Sequence, residues 1–171
     1  MAEIKSTLDL VMEKVKKLEI TPEEREEFHR KEEEEKARGI FSRYLKGRGE
    51  RIEALREELS RTPESVKRAL VSLICQEFSF LSPSERWIEA LELLKGEGVG
   101  DKVREVVERY RKGREEETER VKEELRRLFS QRGIRGDAVD PNPEVHPSWE
   151  SSLKGLEEKA REELRRILDL S

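Results

Sequence analysis

The chain has 171 residues, of which 44% are charged against roughly 25% in an average domain, and only 33% are hydrophobic. Its formal net charge of −4 is small for so many charged residues, so the overall charge argues neither for a nucleic-acid binder nor for an acidic mimic. A single cysteine excludes a disulfide framework within one chain. Because no long uninterrupted apolar run occurs, we expect neither a signal peptide nor a membrane span, and we expect a cytoplasmic protein.

Residues 1–60 are predicted to form an amphipathic helix followed by a charged helical arm. The first helix covers about residues 3–18, where apolar side chains recur at helical spacing. They are Ile4, Leu8, Val11, Met12, Val15 and Leu18. Thr21-Pro22-Glu23-Glu24 then begins a second helix, with a hydroxyl at the N-cap, proline at the first position and Glu at the third.

The second helix is almost entirely Glu, Lys and Arg from Glu23 to Arg38, with Phe28 as its one large apolar residue. An exposed helical arm is favoured over a disordered acidic tract, since some charge pairs lie four residues apart. The arm is predicted to end in apolar residues and to be followed by a short third helix. The apolar residues of these two parts are Ile40, Phe41, Tyr44, Leu45, Ile52, Leu55 and Leu59.

Residues 61–132 hold the densest apolar sequence and are predicted to form the core. Thr62-Pro63 and Ser82-Pro83 each resemble a helix start, so we expect two consecutive helices over 62–81 and 82–94. After a glycine loop at Gly96, Gly98 and Gly100, Asp101 is predicted to cap a long helix over about 102–131. Its apolar spacing is that of a coiled-coil seam. That seam turns polar between residues 111 and 120, where the helix is expected to project into solvent or to pair through charges.

Residues 133–147 are predicted to be a non-helical linker loop, because Asp140-Pro141-Asn142-Pro143 and His146-Pro147 are incompatible with a helix interior. At about fifteen residues the loop is either functional or a linker. Residues 148–171 form the last amphipathic helix, capped by Ser148. The fold class is therefore all-α, an elongated helical bundle with long charged helices and coiled-coil-like arms. We favour a homodimer, because several apolar stripes exceed what one small core can bury.

Catalytic and metal-binding patterns are weak. Glu26 and His29 have the Glu-x-x-His spacing of di-iron bundles, but the only other histidine, His146, has no glutamate three residues earlier. Cys75 lies in an apolar helix and is interpreted as a buried structural thiol. The glycines at 96–100 have neither the preceding strand nor the Gly-Lys-Ser/Thr that a phosphate loop requires. We therefore predict no enzyme and no cofactor.

Clusters of basic residues are the candidate contacts to nucleic acid, because Lys and Arg neutralise phosphates. One group surrounds Tyr44 and another ends the long helix. They comprise Arg43, Lys46 and Arg48, and Arg126, Arg127, Arg132 and Arg135. The alternative is that arginines at helix ends stabilise the terminal carbonyls and the dipole.

Two stretches, Ala2 to Lys14 and Gly136 to Trp149, resemble a family of uncharacterised bacterial helical proteins. This resemblance implies a bacterial setting and assigns no activity or site residue.

The favoured function is a non-enzymatic interaction protein, namely a scaffold, adaptor or assembly factor that works through helix–helix contacts. Its candidate protein-interaction loop contains Asp140, Asn142, His146 and Trp149. The alternative is a nucleic-acid- or ribosome-associated factor that uses the basic clusters.

Overall fold

A computed structural model describes residues 21–46, 51–134 and 140–170. The predicted helix over residues 3–18, together with Arg48 and Arg135, lies outside this part of the chain. The described part is all-α, as predicted, and contains no strand. Six α-helices follow in order: α1 (Pro22–Ile40), α2 (Ile52–Arg61), α3 (Glu64–Glu77), α4 (Glu85–Lys95), α5 (Val99–Gln131) and α6 (Trp149–Ile167).

The charged arm is the N-terminal part of α1, and it begins with the capping box predicted at Thr21. The Thr21 hydroxyl accepts from the Glu24 N–H at 3.2 Å, and the Glu24 carboxylate accepts from the Thr21 N–H at 2.8 Å. Residues 22–32 are all exposed. The helix then continues as a π-helical turn over Phe41–Leu45, which carries the predicted apolar end into the core.

All six helices contribute to one main core, so the arm and the last helix are anchored on the same centre as the apolar helix pair. Trp87 fastens the π-helical turn to α4, because its ring lies 5.2 Å from that of Phe41 and its indole N–H donates to the Leu45 carbonyl at 2.8 Å. Fully enclosed members of the core include Leu55, Leu70, Ile74, Ile88, Leu91, Val103, Val106, Leu164 and Leu168.

The predicted helix over 62–81 is wrong at both ends. Thr62 closes α2 instead of starting α3, since its hydroxyl donates to the Glu58 carbonyl at 2.8 Å, and the N-cap of α3 is Pro63. The helix stops at Glu77, and extended backbone at Phe78 leads into a non-helical corner. This corner buries both Phe78 and Phe80, whose rings meet edge-on at 5.2 Å.

The start of the next helix also differs from the prediction. It begins at Glu85 with Ser84 as N-cap and without a side-chain bond, so Ser82 forms no capping box. Pro83 disfavours helical backbone at Ser82, which keeps that residue outside the helix.

The long helix α5 begins three residues earlier than predicted. Gly96 and Gly98 do form a turn with positive φ, but Gly98 is the N-cap, so Gly100 and Asp101 lie within the helix. Thirty-three residues give α5 a length of about 50 Å. Of the helices in the three described ranges, none is long and apolar enough to cross a membrane.

Helices α5 and α6 form an antiparallel hairpin along their whole shared length. Arg109 pairs with Glu163 at 2.6 Å near the main core, and Val121 and Leu125 pack with Trp149 at the far end. Midway, a Cβ at Gly113 would lie 3.3 Å from a methyl group of Leu156, so the helices approach closely there. The polar middle of α5 therefore packs against α6 and does not project into solvent.

Candidate interaction surface

The far end of the α5/α6 hairpin has a small hydrophobic core of its own. Val121, Leu125 and Trp149 are buried there, and Leu153 packs against them. The polar stretch of α5 separates this cluster from the main core. Trp149 was predicted as a residue of an interaction loop, and its place in the structure is inside this second core.

A chain of charged groups holds α6 and the preceding loop against α5. Arg120 donates to both carboxylate oxygens of Glu117, at 2.5 and 2.8 Å, and to Glu124 at 2.7 Å. The bond from Arg120 lowers the pKa of Glu117 to about 2, with smaller contributions from Ser152 and His146. Because carboxylate–guanidinium pairs with two parallel bonds are geometrically specific, Arg120 fixes the two carboxylates on α5, and these then bind Ser152 of α6 and His146 of the loop.

His146 extends the chain of charges into the loop. Its Nε2 lies 3.2 Å from a carboxylate oxygen of Glu124, and its Nδ1 accepts from the N–H of Ser148 at 3.3 Å. A backbone N–H can only donate, so the ring proton of neutral His146 is on Nε2, facing Glu124.

The hydroxyl of Ser148 also lies 2.9 Å from Nδ1 of His146. Serine, imidazole and carboxylate thus form a connected series like that of hydrolases. Here, however, the same ring nitrogen also binds the backbone N–H of Ser148, so the imidazole is committed to the start of α6. The predicted capping by Ser148 is correct only in position, since Ser148 is the N-cap but its hydroxyl makes no capping bond.

The other two loop residues predicted for protein interaction, Asp140 and Asn142, are also engaged. Asp140 pairs with Lys122 at 2.8 Å, and the bond from Lys122 holds the pKa of that carboxyl below its usual value. The Asn142 side chain accepts from the Glu144 N–H at 3.0 Å and begins a 3₁₀ turn over Pro143–Val145. The loop is therefore not wholly non-helical, and its polar side chains hold it in place on the hairpin.

Three of the five exposed large apolar residues in the described ranges lie beyond the second core, and the other two are Phe28 on the arm and Leu81 in the corner before α4. Leu128 continues the line of Val121 and Leu125 by one turn and is 45% exposed. Ile134 is 52% exposed, and its N–H donates to the Phe129 carbonyl at 2.9 Å after Gly133 adopts a positive φ. Val145, next to His146 in the loop, is 63% exposed. We name Leu128, Ile134 and Val145, with the exposed Arg126, Arg127 and Arg132, the hairpin tip.

The two basic clusters predicted for nucleic acid do not come together. Arg126, Arg127 and Arg132 are exposed on the hairpin tip, where Arg127 pairs with Glu123 at 3.9 Å. Arg43 lies instead on the π-helical turn, with its guanidinium 5.7 Å from the centre of the Tyr44 ring, and Lys46 is exposed beside it. The start of α4, which packs on the π-helical turn, is joined to Arg104 of α5 by the Glu85 ion pair. Arg104 is about 33 Å along α5 from Arg126, so the two basic clusters lie far apart.

The groups that could support redox or metal chemistry are dispersed. Cys75 is buried, and burial raises the pKa of its thiol, against opposing effects of Arg165 and Arg161. Within the described ranges, no group of three or more His, Cys, Asp or Glu side chains is arranged to hold a metal ion.

The fold and this surface define an all-α helical bundle with a projecting helical hairpin. Comparison of the chain with protein-family models, with curated proteins and with solved structures finds no match.

Proposed function

We propose that this protein is a non-enzymatic interaction protein of the cytoplasm, a scaffold, adaptor or assembly factor that acts as a homodimer and binds proteins through its helix faces. The hairpin tip carries this proposal. Leu128, Ile134 and Val145 are exposed large apolar side chains at the far end of the hairpin, where Arg126, Arg127 and Arg132 are also exposed. Arginine is enriched in protein interfaces relative to the rest of the surface, and an exposed apolar patch bordered by polar residues marks an interaction site.

The arrangement of polar groups supports the same function. In the described ranges, every buried side-chain nitrogen and oxygen has a hydrogen-bond partner. The charged side chains from Glu117 to His146 position the loop. The apolar side chains of the hairpin tip remain exposed, and a helix of another protein can cover them.

Photocrosslinking in cells tests this proposal. A photoreactive amino acid replaces Leu128 in one variant and Glu108 in the control, since Glu108 is exposed on the same helix near the main core. We expect crosslinked protein species at position 128 that resist nuclease and exceed those at position 108 several-fold. Equal crosslinking at the two positions would contradict the proposal.

The second candidate function is association with nucleic acid or the ribosome. It is supported by residues 125–134, which carry three exposed arginines and no acid. Such a factor would bind RNA more weakly as salt rises, because each neutralised phosphate releases counterions. Replacing Arg126, Arg127 and Arg132 by Gln would then reduce RNA affinity and the salt slope together. Nuclease-sensitive crosslinks at position 128 would favour this function over the first.

A further inference from the structure

We infer that the hairpin tip binds the charged arm of a second copy of this chain, with Phe28 of the arm packed on Leu128 and Ile134. This inference rests on the proposed function, because it names the partner of the same surface. The charged arm and the hairpin tip are therefore complementary surfaces, and each binds the other in the second copy.

The arm presents an exposed aromatic ring whose neighbours within one helical turn are the acids Glu24 and Glu32 and the bases Arg25 and Lys31. Phe28 is 60% exposed, while Ala37, nine residues later, is buried at 1%. Nine residues rotate a helix by about half a turn, so Phe28 points away from the face that packs on α3. Glu32 and Glu35 flank Phe28 within about 40° around the same axis. Glu27 already engages the neighbouring base Lys31 at 2.8 Å.

The charge of the arm complements that of the tip. Residues 22–36 contain eight glutamates against four lysines and arginines, whereas residues 125–134 of the tip contain three arginines and no acid, with Glu123 paired to Arg127 and Glu144 exposed beside Val145. Arg132 lies about 40° from Leu128 around α5, so a base flanks the apolar side chain as acids flank Phe28. Opposed charges of this kind steer association and fix its register.

The two surfaces do not cover each other within one chain. The exposed fractions of Phe28 and Leu128 are 60% and 45% in the single molecule, so among the described residues neither surface is covered by the other. A second copy brings an arm to each tip. Two such contacts related by a two-fold axis close a dimer and double the small apolar area of each contact.

Charge reversal on each side tests the pairing. The arm variant is Glu32→Arg with Glu35→Arg, and the tip variant is Arg127→Glu with Arg132→Glu. All four side chains are exposed, so both variants are expected to fold. The control, Glu105→Arg with Glu108→Arg, makes the same charge change as the arm variant on an exposed face of α5 outside both surfaces.

Sedimentation velocity gives the readout, with circular dichroism to verify folding. We expect the unaltered chain and the control to dimerise, each charge variant alone to weaken dimerisation at least tenfold, and their equimolar mixture to regain it. Recovery supports arm–tip pairing when each variant alone is weakened, because among the variants each arm then meets a tip of opposite charge only in the mixture. Arm–arm pairing predicts that the tip variant dimerises normally, and tip–tip pairing predicts the same of the arm variant. Either result would overturn the inference.

A second pair of variants tests the apolar contact. Phe28→Asp and Leu128→Asp are each expected to be monomeric, and their mixture is expected to associate through the one intact arm and the one intact tip. Failure of the mixture to associate, or a monomeric unaltered chain, would overturn the inference. A monomeric chain would also remove the homodimer from the proposed function, but crosslinks from position 128 to other proteins would still support an interaction protein that binds through the tip. The inference and that binding function can therefore fail separately.

Discussion

At the scale of the residue, Arg161 shows how a single side chain of α6 completes a helix far away in the sequence. Its guanidinium donates to the carbonyls of Cys75 at 2.9 Å, Gln76 at 3.1 Å and Phe78 at 3.4 Å. Those carbonyls end α3, where intrahelical donors run out. Arg161 also pairs with Glu157 at 2.7 Å, so its fork is held in position.

Replacing Arg161 by Met is expected to destabilise the protein by about 2 kcal/mol, because half-buried carbonyls lose a charged donor. Replacement by Lys is expected to restore only part of this loss, since an ammonium cannot reproduce the planar fork. Thermal unfolding measures both, with Arg166→Met, exposed in the last turn of the same helix, as the control. Equal melting temperatures for Arg161→Met and the control would contradict the assigned role.

Glu117 gives the chain a predictable response to acid. Its pKa of about 2 in the folded state is below the ordinary value, so it stabilises the fold above that ordinary value, near pH 4.5. This stabilisation is lost as the pH falls from 4.5 towards 2. Glu117→Gln is therefore expected to cost about 1 kcal/mol at pH 7.

The difference between Glu117→Gln and the unaltered protein is expected to vanish as the pH approaches 2. Denaturant unfolding at several pH values measures it, with the exposed Glu119→Gln as the control. A difference that stays constant from pH 7 to pH 2 would show that Glu117 acts through packing and not through charge.

At the scale of the element, the sequence predicted helices best where one local motif decides. The capping box at Thr21 formed where all of residues 22–32 are exposed, so no buried contact among the described residues competes with it. The similar motif at Thr62 did not form, since the hydroxyl binds the preceding helix, and the one at Ser82 gave way to burial of Phe78 and Phe80. No local pattern predicted that Arg161 caps the C-terminal end of α3, because the carbonyls it binds lie more than eighty residues away in the sequence.

The candidate site was predicted only in part, because local sequence patterns do not show tertiary contacts. The sequence singled out the arginines and the 133–147 loop, but whether a loop residue faces α5 or solvent depends on tertiary contacts. His146 and Trp149 therefore turned out to hold the loop, and the apolar tip residues Ile134 and Val145 were missed. The sequence signal for Ile134 and Val145 was that they are large apolar residues in a Pro- and Gly-rich segment.

Glycines within the hairpin test how closely its helices pack. Gly155→Ala is expected to stabilise the protein by about 1 kcal/mol, because a helix gains from alanine and a Cβ there meets nothing within 4 Å. Gly113→Ala is expected to gain less, since its Cβ must displace the Leu156 methyl group at 3.3 Å. Equal gains in thermal unfolding would contradict the close approach of α5 and α6.

At the scale of the whole molecule, one main core stabilises the fold, and two charged helical extensions lead away from it with surfaces that a partner can bind. The main core uses residues of all six helices, while the arm and the hairpin tip lead away from it with apolar side chains exposed. Exposed apolar area costs roughly 25 cal/mol per Å² relative to buried area, which favours pairing of these surfaces.

The measurement that tests this account most directly is the solution mass of the unaltered chain by light scattering at low and high salt. We expect twice the chain mass of 20.1 kDa at low salt and a shift towards the monomer at high salt, because acids of the arm face arginines of the tip. A mass of 20.1 kDa at both salt concentrations would contradict pairing between copies.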